Sequence, residues 1–396
     1  MLTMTTEKKT ALEMLPGDTI GVICDFLDIN ERNILLGLSK TLRIEQFRYR
    51  YLNLTREYSL MFYEDERFRD KINRLVEYPR KQLSLNLSST SVQDASALGN
   101  VHSLNLSRTW IDDVSALGNV HTLNLSYTSV NDVSALGNVH TLDLSFTFVD
   151  DVSALGNVHT LNLGKCTSVD DVSELGNVHT LNLSYTFVDD VSALGNVHTL
   201  NLRCTPVVNV SALGNVHTLN LRETLVINVS ALGNVHSLDL SSTSVVDVSA
   251  LGNVHTLYLA GTSVTDVSAL GNVHTLDLSN TFVGDVSALE NTHTLILSQT
   301  SVVNVSRLGN VHSLDLMGCV SVVDVSALGN VHTLNLIGCI SVVDVSALGN
   351  VHTLNLIGCV SVVDVSALEN VHTLILRFTP YVVYNVLKNA YVLNLP

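Results

Sequence analysis

The fold is decided by residues 101–119, which read V-H-S-L-N-L-S-R-T-W-I-D-D-V-S-A-L-G-N. From about Leu83 to the C-terminus the chain restates this stretch, in the general form V-H-T-L-N-L-S-x-T-S-V-x-D-V-S-A-L-G-N. All fifteen histidines lie in this array and follow one another at steps of 19 residues, with four steps of 20. A fixed step near 20 residues predicts that each repeat forms one turn of a solenoid.

A single repeat predicts its own local structure. In residues 101–119, Leu104 and Leu106 flank Asn105, which predicts a short strand with both leucines facing inward. We expect Asp113 or Ser115 to cap a tight helical turn, because a side-chain oxygen can satisfy free backbone N–H groups. The predicted core layer of this turn is Val101, Leu104, Leu106, Ile111, Val114 and Leu117. One turn cannot bury these side chains alone, so the turns must stack.

The pattern resembles the leucine-rich repeat, L-x-x-L-x-L-x-x-N/C-x-L, with Val at the first position and usually Thr at the Asn/Cys position. Its tail, V-x-D-V-S-A-L, resembles the short bacterial-type units of that family. The resemblance covers about four-fifths of the chain, residues 83–396, and implies an α/β solenoid of seventeen short parallel strands, one for each L-x-L. Because the repeat is shorter than most in the family, we expect turns or 3-10 segments on the convex side.

Charge and composition restrict the classes of partner. The net charge is −16, and residues 83–396 carry 7 Lys/Arg against 24 Asp/Glu. Nucleic acid and anionic membranes are disfavoured, because binding to either depends on cationic side chains. Residues 1–10 lack an apolar signal segment, and six cysteines do not form a disulfide framework. These features predict a cytoplasmic protein with protein partners; a nuclear location is also compatible with them.

Repetition also places chemically reactive residue types in columns along the array. Stacked histidines near Asn105 and its equivalents suggest a metal site, and Cys319, Cys339 and Cys359 share one column in neighbouring turns. A functional site usually breaks the symmetry of a repeat, and none of these residues has a unique neighbourhood. We therefore interpret both columns as structural and predict no catalytic residue, no metal site and no cofactor.

Departures from the repeat are a better indication of a binding surface. They concentrate just after the strand and include the only tryptophan of the chain. Aromatic residues and arginine dominate protein-binding hot spots, so these positions predict a partner-binding surface; drift at a tolerant loop position is the alternative. The predicted partner-binding residues are Arg108, Trp110, Tyr127, Phe146, Phe148, Tyr185, Phe187, Arg203, Arg222 and Tyr258.

The first eighty residues lack the repeat and predict a small α-helical N-terminal domain. Residues 15–43, L-P-G-D-T-I-G-V-I-C-D-F-L-D-I-N-E-R-N-I-L-L-G-L-S-K-T-L-R, resemble an F-box, although Leu42 stands where many members have Trp. The resemblance implies docking of residues 1–45 onto the adaptor subunit of SCF-type ubiquitin ligases. The implied docking residues are Leu15, Pro16, Ile20, Ile23, Phe26, Leu27, Leu35 and Leu38.

Two interpretations of this N-terminal region stay open. As an F-box protein, the chain would recruit substrates to a ubiquitin ligase through its repeats. As a scaffold with no role in ubiquitin transfer, it would use its N-terminal helices only to cap the first strand, as every solenoid end requires. Residues 46–82 are predicted to be a helical connector and N-terminal cap in either case. Near-identical turns after an F-box-like segment also resemble a repeat family expanded in large DNA viruses of protists, which would place the chain in the host cytoplasm.

Overall fold

The computed structural model describes residues 51–77, 82–377 and 391–393. The predicted adaptor-docking residues, Leu15 to Leu38, lie outside this part of the chain. Eighteen strands form one sheet, and each strand pairs in parallel with the next along the chain. The strands are β1 (Tyr51–Asn53), β2 (Gln82–Asn86), β3 (Ser103–Asn105), β4 (Thr122–Asn124), β5 (Thr141–Asp143), β6 (Thr160–Asn162), β7 (Thr180–Asn182), β8 (Thr199–Asn201), β9 (Thr218–Asn220), β10 (Ser237–Asp239), β11 (Thr256–Tyr258), β12 (Thr275–Asp277), β13 (Thr294–Ile296), β14 (Ser313–Asp315), β15 (Thr333–Asn335), β16 (Thr353–Asn355), β17 (Thr373–Ile375) and β18 (Tyr391–Leu393).

The return half of most turns is a 3-10 helix, as the short repeat predicts. The 3-10 helices are Ser115–Leu117, Ser134–Leu136, Ser153–Leu155, Ser173–Asn177, Ser192–Asn196, Ser211–Asn215, Ser249–Leu251, Ser268–Leu270, Ser287–Leu289, Leu308–Asn310, Ser326–Leu328, Ser346–Asn350 and Ser366–Leu368. Two α-helices lie between β1 and β2 in the described residues: α1 (Arg56–Glu64) and α2 (Glu66–Glu77). No helix in the described ranges combines the length and apolar character needed to cross a membrane.

The core consists of one layer of aliphatic side chains per turn. The six side chains predicted to face inward in residues 101–119 are confirmed, since each is at most 2% exposed. Strand residues alternate in the same way, so Leu104 is buried and its neighbours Ser103 and Asn105 face outward. The layers form a single continuous cluster from Leu54 to Leu376, so the stability of each turn depends on its neighbours.

Two polar contacts close most turns. The predicted cap is confirmed, because Asp113 Oδ1 accepts a hydrogen bond from the Ser115 amide at 2.9 Å, and equivalent residues repeat this contact. This amide, followed by the serine hydroxyl, holds the pKa of Asp113 below its usual value. On the other side of the turn, the buried Thr128 hydroxyl donates to the Leu125 carbonyl oxygen at 2.6 Å.

The sheet starts earlier than the repeat pattern predicts. Residues 46–82 were predicted as a helical connector, but Tyr51–Asn53 form β1, which pairs with β2. Helices α1 and α2 follow and cover this end of the sheet, where Phe62 is fully buried. Ser59 Oγ accepts a hydrogen bond from the Asn86 amide at 3.0 Å, which fixes α1 to β2. Strand β1 was missed because Leu52-Asn53-Leu54 repeats the strand motif without the accompanying His and Val.

Candidate protein-interaction surface

Many of the departures from the repeat occupy one backbone position with left-handed geometry. The residue two places after the second inward leucine of each strand has φ between 54° and 64° in eleven turns, including Arg108, Tyr127, Phe146 and Tyr185. Four other turns place glycine there, with φ between 68° and 72°. The left-handed conformation costs a side-chain-bearing residue roughly 1–2 kcal/mol. Bulky side chains such as those of Tyr127 and Phe146 therefore occupy a position at which glycine would adopt the same conformation at a lower cost in free energy.

These side chains stack into what we call the cation–aromatic ladder, which runs along six successive turns. The Tyr127 and Phe146 rings lie 4.1 Å apart between centroids with an interplanar angle of 16°. The Arg108 guanidinium lies 4.5 Å from the Tyr127 ring. Lys165 Nζ lies between the next two rings, 5.0 Å from that of Phe146 and 4.8 Å from that of Tyr185. The ladder consists of Arg108, Tyr127, Phe146, Lys165, Tyr185 and Arg203.

The ladder ends in an ion-pair cluster around Glu223. Its carboxylate accepts from Arg203 at 2.9 Å and from Arg222 at 3.1 Å, and the Cys204 thiol donates to the same group at 3.0 Å. The hydrogen bond from Cys204, followed by that from Arg222, lowers the pKa of Glu223 below its ordinary value. Glu223 therefore stays ionised and anchors the arginine that stacks on Tyr185.

A second column of aromatic side chains occupies the position directly after the buried threonines. Trp110, Phe148 and Phe187 are 71%, 71% and 66% exposed, so their rings face solvent almost completely. Two residues after each ring comes an exposed aspartate, and Phe148 lines a groove of about 410 Å³ with Asp150 and Asp151. Sequence reasoning identified the rings but missed this association with the aspartates, although the recurring stretches W-I-D-D and F-V-D-D carry it.

The predicted partner-binding residues therefore do not form one cluster. Four of them belong to the left-handed column, three to the exposed aromatic column, and Arg203 and Arg222 lie one place earlier in their turns. Tyr258 lies apart from these, as the last residue of β11 on the outward face of the sheet. The structure brings Arg108, Tyr127, Phe146, Tyr185 and Arg203 into contact with one another through Lys165, a departure that sequence analysis did not single out for binding.

The histidines form a continuous stack along the other edge of the strands. From His102 to His372 successive rings lie 4.4–4.7 Å apart between centroids. Where threonine follows, its hydroxyl lies 3.1–3.3 Å from the histidine Nδ1, and the rings are close to parallel. Burial, followed by the charge of the neighbouring histidines, lowers the pKa of His217.

The histidines and the cysteines form the two columns of chemically reactive side chains. Within the described ranges, no group of three or more His, Cys, Asp or Glu residues is arranged to hold a metal ion. The Cys339 thiol is fully buried and donates to the Leu316 carbonyl oxygen of the preceding turn at 3.1 Å. Burial raises the pKa of Cys339 to about 12 and that of Cys359 to about 11. These thiols serve as buried hydrogen-bond donors in the position that threonine occupies elsewhere.

Comparison with known proteins places the fold. No protein-family model matches the chain, and no curated protein matches it in sequence. Among solved structures, an internalin from Listeria monocytogenes is 20% identical with a TM-score of 0.55, over 63% of this chain and 86% of its own.

Two further leucine-rich repeat structures are similar. A leucine-rich repeat protein of Leptospira interrogans is 17% identical with a TM-score of 0.53, over 89% of this chain and 92% of its own. The repeat ectodomain of an Arabidopsis thaliana receptor kinase is 15% identical with a TM-score of 0.51, over 78% of this chain and 46% of its own. Together with the repeating strand and 3-10 turn, these likenesses establish that the chain folds as a leucine-rich repeat solenoid.

Proposed function

We propose that this chain is a protein-interaction module whose repeats bind a target protein through the cation–aromatic ladder and the neighbouring exposed rings. The observation that carries the proposal is the ladder itself. Five of its six side chains occupy left-handed positions where glycine would cost less, and all six stack into a surface of rings and cations. Rigid aromatic side chains give contact area at little cost in conformational entropy, which favours tight binding.

The plant receptor ectodomain provides a precedent within the fold. It was solved in complex with CASPARIAN STRIP INTEGRITY FACTOR 2. A solenoid offers an extended surface on which each turn adds an independently variable contact. In the present chain that variation is concentrated in the turns that contain residues 108–223, which supports this region as the target-binding surface.

The ladder can be tested by comparing the proteins that co-purify with the chain and with a variant. The variant combines Tyr127→Ala, Phe146→Ala and Tyr185→Ala, and Phe282→Ala serves as a control with an exposed ring in a later turn. We expect the target to be lost with the ladder variant and retained with the control. An identical set of co-purifying proteins from all three chains would contradict the proposal.

We further propose that residues 15–43 dock onto the adaptor subunit of an SCF-type ubiquitin ligase, which would make the chain a substrate-recruiting adaptor. The F-box-like sequence of this segment carries the proposal. A supporting observation is that residues 51–77 provide the cap that the first turn of a solenoid requires, through β1 and α1. A separate role for the preceding residues is therefore reasonable on physical grounds.

Purified chain and purified adaptor subunit test the docking directly. Size-exclusion chromatography should show a complex with the native chain and none with the combined Leu15→Ala, Pro16→Ala and Ile20→Ala variant. If the native chain forms no complex, the ligase role is wrong, and the alternative of a repeat scaffold without a role in ubiquitin transfer stands. If both chains form a complex, the docking residues are wrong.

A further inference from the structure

One four-residue pattern recurs in every second turn of the N-terminal part of the array. Residues 110–113, 148–151 and 187–190 read W-I-D-D, F-V-D-D and F-V-D-D, and we call them the aromatic–Asp–Asp units. In the intervening turns, Ser129 and Ser168 replace the ring. Phe282 is the next exposed ring of this column, but Gly284 replaces the first aspartate there. The combination of ring and paired carboxylates therefore marks three alternate turns.

Each unit places its ring beside its carboxylates. The aliphatic residue after each ring, such as Val149, is fully buried, so the ring and the aspartate two residues later emerge on the same side of the chain. The groove lined by Phe148, Asp150 and Asp151 also contains Asn131 and Asp132 of the preceding turn. A cationic group that lies on the ring is thus within reach of carboxylates from two turns.

No cation of the described part of the chain neutralises these carboxylates. The ion pairs within that part join Arg203 and Arg222 to Glu223, and Arg307 to Glu290. In the first two units the first aspartate instead accepts the amide of the second, as Asp150 does from Asp151 at 2.8 Å. Glu174, in the turn between the second and third units, stands where nearly all other turns have alanine and adds further negative charge. The surface therefore combines exposed rings with uncompensated negative charge.

The spacing of the units fits one backbone conformation of a partner. Strands of a sheet lie about 4.8 Å apart, so units in alternate turns lie about 9.6 Å apart. In a polyproline II helix every third residue projects from the same side, at intervals of about 9.3 Å. A regular β-strand repeats side chains on one face at about 6.7 Å, which does not match the spacing of the units.

We propose that the three aromatic–Asp–Asp units bind an extended segment of a protein partner that adopts the polyproline II conformation and carries arginine at every third residue. Each guanidinium stacks on the ring of one unit and forms paired hydrogen bonds with one aspartate carboxylate of the same unit. Arginine suits both contacts, because its planar group stacks on aromatic faces and matches the two oxygens of a carboxylate. The inference rests on the proposed protein-binding function and specifies the chemistry of the partner.

Synthetic peptides with different arginine spacing test this inference on the full chain. The probe is a fluorescein-labelled peptide of repeated Arg-Pro-Pro units, and binding is measured by fluorescence anisotropy. A peptide with the same number of arginines in Arg-Pro-Pro-Pro units keeps the charge and the conformation but changes the spacing. We expect the first peptide to bind more tightly by on the order of tenfold, since only it can place a cation on each unit.

Variants of the chain separate the contributions of ring and charge. The combined Trp110→Ala, Phe148→Ala and Phe187→Ala variant should lose most of the affinity for the Arg-Pro-Pro peptide, whereas Phe282→Ala, in the same column but without the first aspartate, should bind as the native chain does. Exchanging the first aspartate of each unit for asparagine removes the charge and, in the first two units, keeps an acceptor for the next amide. We expect that exchange to weaken binding and to reduce its dependence on salt.

The outcomes separate this inference from the proposed function. Equal affinity for the two spacings, or unchanged affinity after removal of the three rings, would show general electrostatic attraction and overturn the inference. Ladder-dependent co-purification of a target would still support the proposed function in that case. Conversely, spacing-dependent binding of the peptide together with co-purification that does not depend on the ladder would support the units and contradict the ladder as the binding surface.

Discussion

The packing of neighbouring 3-10 turns makes a sharp prediction about one glycine. A Cβ atom added at Gly195 would lie 2.6 Å from the carbonyl oxygen of Ala212 in the next turn. Favourable contacts between heavy atoms lie near 3.5 Å, so the two turns would have to separate by about 1 Å. Overpacking of this kind typically costs about 1–3 kcal/mol. We therefore expect Gly195→Ala to lower the free energy of unfolding by about that amount.

Gly284 provides a matched control, since a Cβ added there meets no atom within 4 Å and its φ is not positive. Gly284→Ala should change the free energy of unfolding by less than about 0.5 kcal/mol. Urea unfolding, followed by far-ultraviolet circular dichroism, compares the midpoints of both variants with that of the native chain at an unchanged slope. Equal midpoints for the two variants would refute the argument that close contact between turns requires glycine.

Glutamate replaces this glycine in two turns, as Glu290 and Glu369, and the turn that follows Glu290 agrees with this reasoning. Glu290 occupies the glycine position of its turn, and in the next turn the 3-10 helix begins only at Leu308. The residue whose carbonyl oxygen would face the added Cβ is Arg307 in that turn, where other turns have alanine. Its guanidinium lies 3.6 Å from the Glu290 carboxylate. A side chain is accommodated at this position because the following turn has changed with it.

Three further predictions concern the columns of the solenoid. In the folded chain, burial and then the stacked neighbouring histidines lower the pKa of His217. The unfolded chain therefore binds protons first as the pH falls. This contribution to the free energy of unfolding should be fully present above a pH of about 6.5 and decrease below it. The melting midpoint should therefore be lower at pH 5.5 than at pH 7.5, and an unchanged midpoint would contradict the stack as a source of destabilisation. Replacing the buried Thr186 by Val removes a 2.7 Å hydrogen bond and should lower the free energy of unfolding, measured in urea, by about 1 kcal/mol. An unchanged free energy of unfolding would show that packing alone closes the turn. Iodoacetamide should modify the partly exposed Cys204 in the folded chain and leave Cys339 unmodified, because burial raises the pKa of that thiol to about 12; rapid modification of Cys339 would show that the turns open.

The repeat pattern was sufficient to predict the solenoid, its inward layers and its capped 3-10 turns. These features depend on contacts within one turn or between identical turns, such as the hydrogen bond from the Ser115 amide to Asp113. Strand β1 was missed because its Leu52-Asn53-Leu54 lacks the surrounding repeat, and only its pairing with β2 identifies it. The left-handed geometry at Tyr127 was also not evident, since nothing in an L-S-Y-T stretch indicates a positive φ.

The candidate surface was predicted as a set of residues rather than as an arrangement. Aromatic and arginine departures are visible in the sequence, but their grouping depends on which face of the turn each position occupies. Phe146 and Phe148 are two residues apart, yet one stacks in the cation–aromatic ladder and the other is exposed beside Asp150. Lys165 was not selected for binding, because its role appears only when the turns on either side place a ring against it.

The sequence by itself determined that the chain is a stack of equivalent turns, because a strict period of 19 or 20 residues leaves the aliphatic side chains no other way to leave water. Only the tertiary structure decided what each column does. Stacking brings residues 19 apart to within about 5 Å, and at that distance equal side chains become neighbours that share burial, charge and hydrogen bonds. The histidine stack, the cation–aromatic ladder and the array of aromatic–Asp–Asp units all arise because stacking places the same position of successive turns side by side. None of these arrangements exists within a single turn.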